Sequence, residues 1–201
     1  MRTLFMTALL AAGVWSPLAA QADDGLRFRI GQDTVVAGVR CGPTGRAHAV
    51  IYESGRLDEC PIADDTIVAG HRLPRGTWIR MTEDGLLVSV WLLQPFVVQG
   101  LPCRGTGYKG WAVTFHPSGR LSLCYLNEMA TIDGVPCAAA TFLREMTGNS
   151  GVSLREDGRL RSCRLARDFE RGGIRHTKGN RITIDGALSP GTPRIPPLPQ
   201  R

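Results

Sequence analysis

Three residues in this sequence have the types and the order that acyl transfer uses. Ser150 stands in Gly148-Asn149-Ser150-Gly151, a small-residue segment able to hold a hydroxyl nucleophile, with His48 and Asp64 upstream as candidate base and orienting acid. A serine attacks a carbonyl only when an imidazole takes its proton and a carboxylate fixes the imidazole tautomer, so the three must meet in space. A polar loop running into a strand explains the same segment without catalysis. Metal chemistry has less to build on. His48, His71, His116 and His176 stand apart, with no His-x-His or His-x₃-His spacing, and read as isolated surface residues. No metal or cofactor is expected.

The six cysteines, Cys41, Cys60, Cys103, Cys124, Cys137 and Cys163, carry a different chemistry. They contain no C-x-x-C, so zinc-ribbon and thioredoxin-like readings have no support. The start of the chain bears on them. Arg2, the apolar run Leu4 to Val14 and the small-x-small segment Ala20-Gln21-Ala22 match a secretory signal over residues 1–22, so the mature chain is expected to begin at Asp23, with cleavage after Ala20 as the alternative. The run is too short to span a bilayer. The mature protein is then expected to be exported and soluble, periplasmic or extracellular, where an even number of cysteines favours disulfides. The formal charge of +6 is spread as isolated arginines with no run of five, which reads as a solvated surface and not as a nucleic-acid footprint.

An internal repeat orders the rest. A turn segment recurs at Ser54-Gly55-Arg56-Leu57, Asp84-Gly85-Leu86-Leu87, Ser118-Gly119-Arg120-Leu121 and Asp157-Gly158-Arg159-Leu160. A second glycine follows fifteen residues after each turn glycine, at Gly70, Gly100, Gly134 and Gly173. Val35-Val36-Ala37-Gly38 is an earlier copy of that second element, and Ile182-Thr183-Ile184-Asp185-Gly186 reads as a late one. Asp-Gly or Ser-Gly between apolar stretches marks a hairpin, because glycine supplies the positive φ of a tight turn. Apolar residues stand four and six before each turn glycine, the period of a strand with one buried face. A three-residue turn would set the leucine two after the glycine opposite the apolar residue four before it. Ile62, Leu92, Leu126 and Leu165, seven after the glycine, then fall on the other face unless a bulge intervenes. Tyr52, Thr82, His116 and Arg155 vary in type and read as solvent-facing.

The cysteines obey the same ruler. Cys41, Cys103 and Cys137 each lie three residues after a second-element glycine, and Cys60, Cys124 and Cys163 five after a turn glycine. The second unit has Leu73 and Val90 at those slots, both apolar and both replaced together. Slots that change together touch, so the expected pairs are Cys41–Cys60, Cys103–Cys124 and Cys137–Cys163, with bridges between neighbouring units as the rival.

These elements predict an all-β fold of tandem β-hairpin repeats, a twisted repeat sheet or solenoid cross-linked by disulfides, with a small propeller-like or curled sheet as the alternative. Residues 23–186 form one domain, and the Pro-rich stretch 187–201 is expected to be an extended tail outside the sheet. Thr141 to Met146 could form one or two helical turns. With the closest stretch at Phe115-His116-Pro117-Ser118-Gly119-Arg120-Leu121, residues 38–186 loosely resemble MORN-type and related bacterial hairpin-repeat proteins. The resemblance implies a fold type and transfers no function. The Ser150 segment resembles the nucleophile segment of chymotrypsin-like serine proteases, although Val152 replaces the second glycine after the motif and four short repeats do not suit that fold.

Two sets of side chains suggest a binding surface. Trp78 and Trp111, near the starts of equivalent strands, could stack on sugars or grip a peptide, or could fill the core. Arg56, Arg120 and Arg159 recur one after the turn glycine and could form a ridge for an anionic ligand or a solubilising row. The sequence therefore reads as a non-catalytic binding or structural module of the envelope or the exterior. Candidate partners are a polysaccharide, a peptide or an anionic envelope component. The alternatives are an exported hydrolase using Ser150, His48 and Asp64, and an assembly partner that pairs through its hairpin edges.

Overall fold

Four glycine-bearing turns set the architecture. In the first, Gly55 adopts φ +79°, its N–H donates to the Tyr52 carbonyl at 2.9 Å, and the Tyr52 N–H donates to the Arg56 carbonyl at 2.8 Å. Gly85, Gly119 and Gly158 close their turns in the same way. An L-residue resists this φ, so glycine fixes where each hairpin reverses.

A computed structural model of the chain describes residues 26–43, 48–106, 111–141 and 150–184. The strands are β1 (Leu26–Arg29), β2 (Thr34–Val36) and β3 (Val39–Cys41), then β4 (His48–Ile51), β5 (Leu57–Pro61), β6 (Thr66–Val68) and β7 (His71–Leu73). There follow β8 (Trp78–Met81), β9 (Leu87–Trp91), β10 (Phe96–Val98) and β11 (Leu101–Cys103). The next group is β12 (Val113–Phe115), β13 (Leu121–Cys124), β14 (Ala130–Ile132) and β15 (Val135–Cys137). The last is β16 (Val152–Leu154), β17 (Leu160–Arg164), β18 (Phe169–Arg171), β19 (Ile174–His176) and β20 (Arg181–Thr183). Ten of them form one antiparallel sheet in the order β1-β4-β5-β8-β9-β12-β13-β16-β17-β20, which is open and not closed into a barrel or propeller. The other ten form five separate two-stranded hairpins.

Each short hairpin turns through two residues of positive φ, as at Ala37 (47°) and Gly38 (82°), the mirror-image turn whose twist suits a two-residue loop. The short hairpins supply Val36, Val68, Val98 and Ile132 to the same apolar cluster that holds Ile79, Val90, Val113 and Val152 from the large sheet. The core therefore lies between a wide sheet and a row of small hairpins.

The predicted register is present. Ile51 faces Leu57, Met81 faces Leu87, Phe115 faces Leu121 and Leu154 faces Leu160. A bulge follows each pair, as where Val50 faces Glu59 while Ile51 faces Leu57. The extra residue resets the alternation. As a result Leu57, Cys60 and Ile62 all enter the core, and Ile62, Leu92, Leu126 and Leu165 are buried. The cysteines are joined as Cys41–Cys60, Cys103–Cys124 and Cys137–Cys163, with Cα–Cα distances of 5.9, 5.7 and 5.7 Å. Loops of this size remove about 3 kcal/mol per bridge from the unfolded chain's entropy.

Two sequence assignments change. Ile182–Ile184 is not a late copy of the short-hairpin element. It overlaps β20, the tenth strand of the large sheet, where Ile182 faces Cys163. The array also begins earlier than the turn motifs suggest: β1 pairs with β4, and Ile30 is buried like Ile62. Ile30 lies eight residues before Gly38 as Ile62 lies eight before Gly70, a spacing readable from the second glycine alone. The expected signal, residues 187–201 of the expected tail, and all but Thr141 of the candidate helical turns lie outside the described residues.

Candidate functional site

The acyl-transfer set does not assemble. His48 lies on β4 and Ser150 just before β16, six inter-strand steps across the sheet, about 29 Å at the usual spacing. Asp64 is paired with Arg40 at 2.9 Å, and Ser150 is buried. Among the described residues no three His, Cys, Asp or Glu side chains group as a metal site, and no helix is long and apolar enough to cross a membrane.

Two tryptophans lie on the sheet face opposite the core. Ile79 and Val90 point into the core, so their neighbours Trp78 and Trp91, which face each other across β8 and β9, point away from it. Along the same face run Glu59, Arg80, Ser89, Thr114, Ser153 and Ser162. Trp78 is half-buried and packs its ring 5.0 Å from that of His48, whose Nε2 is 3.9 Å from a Glu59 carboxylate oxygen. Trp91 is 8% and Trp111 4% exposed. Trp111 meets Tyr125 edge-on at 5.1 Å, and the Arg104 guanidinium lies 4.8 Å over its ring while donating to the Ala140 carbonyl at 2.7 Å. Trp78 and Trp111 do not stack as a pair of equivalent positions, because Trp111 precedes β12 and is enclosed by its neighbours. Among the described residues, Trp91 and Trp111 are thus buried and Trp78 is the more accessible ring.

Two of the three repeated arginines connect neighbouring units. Arg56 donates to the Glu83 carbonyl and Arg120 to the Asp157 carbonyl, each at 3.1 Å, which ties one hairpin tip to the next. Arg159 pairs with Asp157 within its own turn at 3.6 Å. The residues expected to face solvent do the same work. The Tyr52 hydroxyl donates to the Met81 carbonyl at 2.8 Å, His116 Nε2 contacts the Leu154 carbonyl at 3.1 Å, and Arg155 donates to the Ile184 carbonyl. Thr82, too short to cross, accepts instead from the Leu86 N–H. Burial, with the adjacent Asp58 carboxylate, raises the Tyr52 phenol pKa above its ordinary value.

His71 is a further correction. It is not a surface residue but is 4% exposed, with its ring 4.4 Å from Phe115. Burial lowers its pKa, and a hydrogen bond to the Gly119 backbone offsets part of that.

Sequence reasoning also missed the first positive-φ residue of the short hairpins. Gln99 Oε1 accepts from the Leu121 N–H at 3.1 Å and its Nε2 donates to the Gly119 carbonyl at 2.8 Å. Asp133 Oδ2 accepts from the Leu160 N–H at 2.6 Å. A polar residue immediately before the second glycine was the available signal. Ala37 and Ala69 occupy that place in the first two units. Beside the first lies a shallow groove of about 260 Å³ lined by Ala37, Val39, Arg56, Leu57, Met81, Thr82 and Gly85.

The sheet ends differ. At β20 the core-facing Ile182 and the following Ile184 are buried, 5% and 3% exposed. At β1 all four residues are exposed, Leu26 at 67% and Phe28 at 36%, with Arg27 and Arg29 between and beyond them. Comparison with known proteins found no matching family model, no matching curated protein and no matching solved structure, so the geometry alone carries the functional reading.

Proposed function

We propose that the protein is an exported, non-catalytic structural module that joins a partner chain through the β1 edge of its sheet. The observation that carries this reading is the asymmetry of the two ends. An edge strand offers unpaired N–H and C=O groups along one side, and an added strand would satisfy them. At β1 it would also cover Leu26 and Phe28, which are core-facing in register yet exposed. Nothing similar is gained at β20, whose apolar side chains are already buried. Of the side chains that suggested a small ligand, Trp111 packs under Arg104, and Arg56 and Arg120 each hold the next hairpin tip. Three disulfides fit an oxidising compartment.

The test is a set of photo-crosslinking side chains placed at Leu26, Thr114 and Thr183 in the full chain, expressed with its own N-terminus. Adducts to another protein concentrated at Leu26 are expected. Adducts concentrated at Thr114 would transfer the function to the sheet face. A second reading rests on that face: the half-buried Trp78 beside His48 and Glu59 offers a ring for a sugar to stack on and polar groups to hold it. Quenching of tryptophan emission by oligosaccharides, abolished by Trp78→Ala, would support it over the edge.

A further inference from the structure

We infer that the groove beside Ala37 is a binding site for a carboxylate on a short apolar stem, an acceptor that the third and fourth units provide from their own side chains. The fourth unit shows the required chemistry: an Asp133 carboxylate oxygen accepts the Leu160 N–H at 2.6 Å. The third shows it with a carboxamide, Gln99 Oε1 accepting the Leu121 N–H at 3.1 Å. Leu57 holds the equivalent slot in the first unit, two residues after its turn glycine, and Ala37 holds the slot of Gln99 and Asp133. Alanine offers no side-chain acceptor to the Leu57 N–H, where the third and fourth units supply an oxygen.

A groove is formed between Ala37 and Leu57. Val39, Leu57 and Met81 give it an apolar wall, and Arg56 lines it with a cation that also donates one N–H to the Glu83 carbonyl and keeps further donors on its guanidinium. The Ala37 backbone is also strained. It stands at φ 47°, where asparagine, aspartate or glycine is the easier residue, so the position keeps a small side chain at a conformational cost. A carboxylate entering the groove would accept from the Leu57 N–H, lie near the Arg56 guanidinium and place its stem on Met81. The source is either a free short-chain acid or an acidic side chain of a bound protein, and the two are distinguished below. The inference is independent of the β1 edge, which lies on a different element.

Amide-resolved NMR of the oxidised full chain provides the test, with butyrate, butylamine and an acetylated glutamate tripeptide amide as probes. Butyrate should shift the Leu57 amide in a saturable, millimolar titration, while Leu121 and Leu160 stay still. Butylamine should leave all three unmoved. Tighter binding of the tripeptide than of butyrate assigns the groove to an acidic side chain, and the reverse order to a free acid. Ala37→Asp should place the acceptor within the chain, move the Leu57 amide toward the Leu160 position without ligand, and weaken butyrate at least tenfold. A Leu57 amide unmoved by both acids, or acid binding of unchanged strength in Ala37→Asp, would overturn the inference. The Arg56→Gln variant supplies a second check that spares the backbone: carboxylate binding should weaken severalfold, and unchanged binding counts against the site.

Discussion

The second unit lacks a disulfide, and its two apolar substitutes allow the equivalence of repeat slots to be measured. Leu73 and Val90 are fully buried at the positions that hold bridged cysteines in the other three units. The bridged slots set Cα atoms 5.7 to 5.9 Å apart, inside the range a disulfide spans. Leu73→Cys alone should cost about 2 kcal/mol and Val90→Cys about 1 kcal/mol, from lost apolar burial and the space left behind. A bridge between the introduced thiols would close a loop of about 17 residues and return about 3 kcal/mol. The double variant should therefore unfold near the parent midpoint, with a coupling energy of about 3 kcal/mol in the double-mutant cycle. Guanidinium unfolding without reductant gives the energies. Alkylation followed by mass spectrometry should find no free thiol in the double variant and one in each single. A coupling below about 1 kcal/mol, with both introduced thiols alkylated, would refute the claim that corresponding slots occupy corresponding places.

Other outcomes follow from single contacts. Because burial lowers the His71 pKa, the unfolded chain takes up this proton first, so the contribution of neutral His71 is complete above about pH 6.5 and declines as pH falls below it toward the lowered folded value. His71→Leu, matching Leu101 in the next unit, should flatten the acid side of a plot of urea midpoint against pH. Tyr52→Phe removes the hydrogen bond to the Met81 carbonyl and should cost about 1 kcal/mol in chemical unfolding. Ala69→Gly relieves a left-handed alanine at φ 47° and should raise stability by about 0.5 kcal/mol, read as a small rise in Tm.

The parts of this protein legible in the sequence are those that local chemistry fixes. Gly55, Gly85, Gly119 and Gly158 take the φ of a three-residue turn wherever they stand, and that turn dictates which residues face each other across it. The joint replacement of two cysteine slots by Leu73 and Val90 carried spatial information, because residues that touch must change together to keep the core filled. The spacing left the face of Ile62 open, since one bulged residue inverts every side chain beyond it. What crosses between repeats was not legible. Tyr52, His116, Arg155 and Gln99 look like freely varying polar positions until stacking brings a neighbour's carbonyl or amide within reach. The same holds for the tryptophans, whose period places them on a face but cannot say that Arg104 closes over Trp111. Hairpin geometry is set by dihedral preferences over a few residues. The contacts between repeats depend on the distance and twist between stacked units, which only the assembled sheet defines.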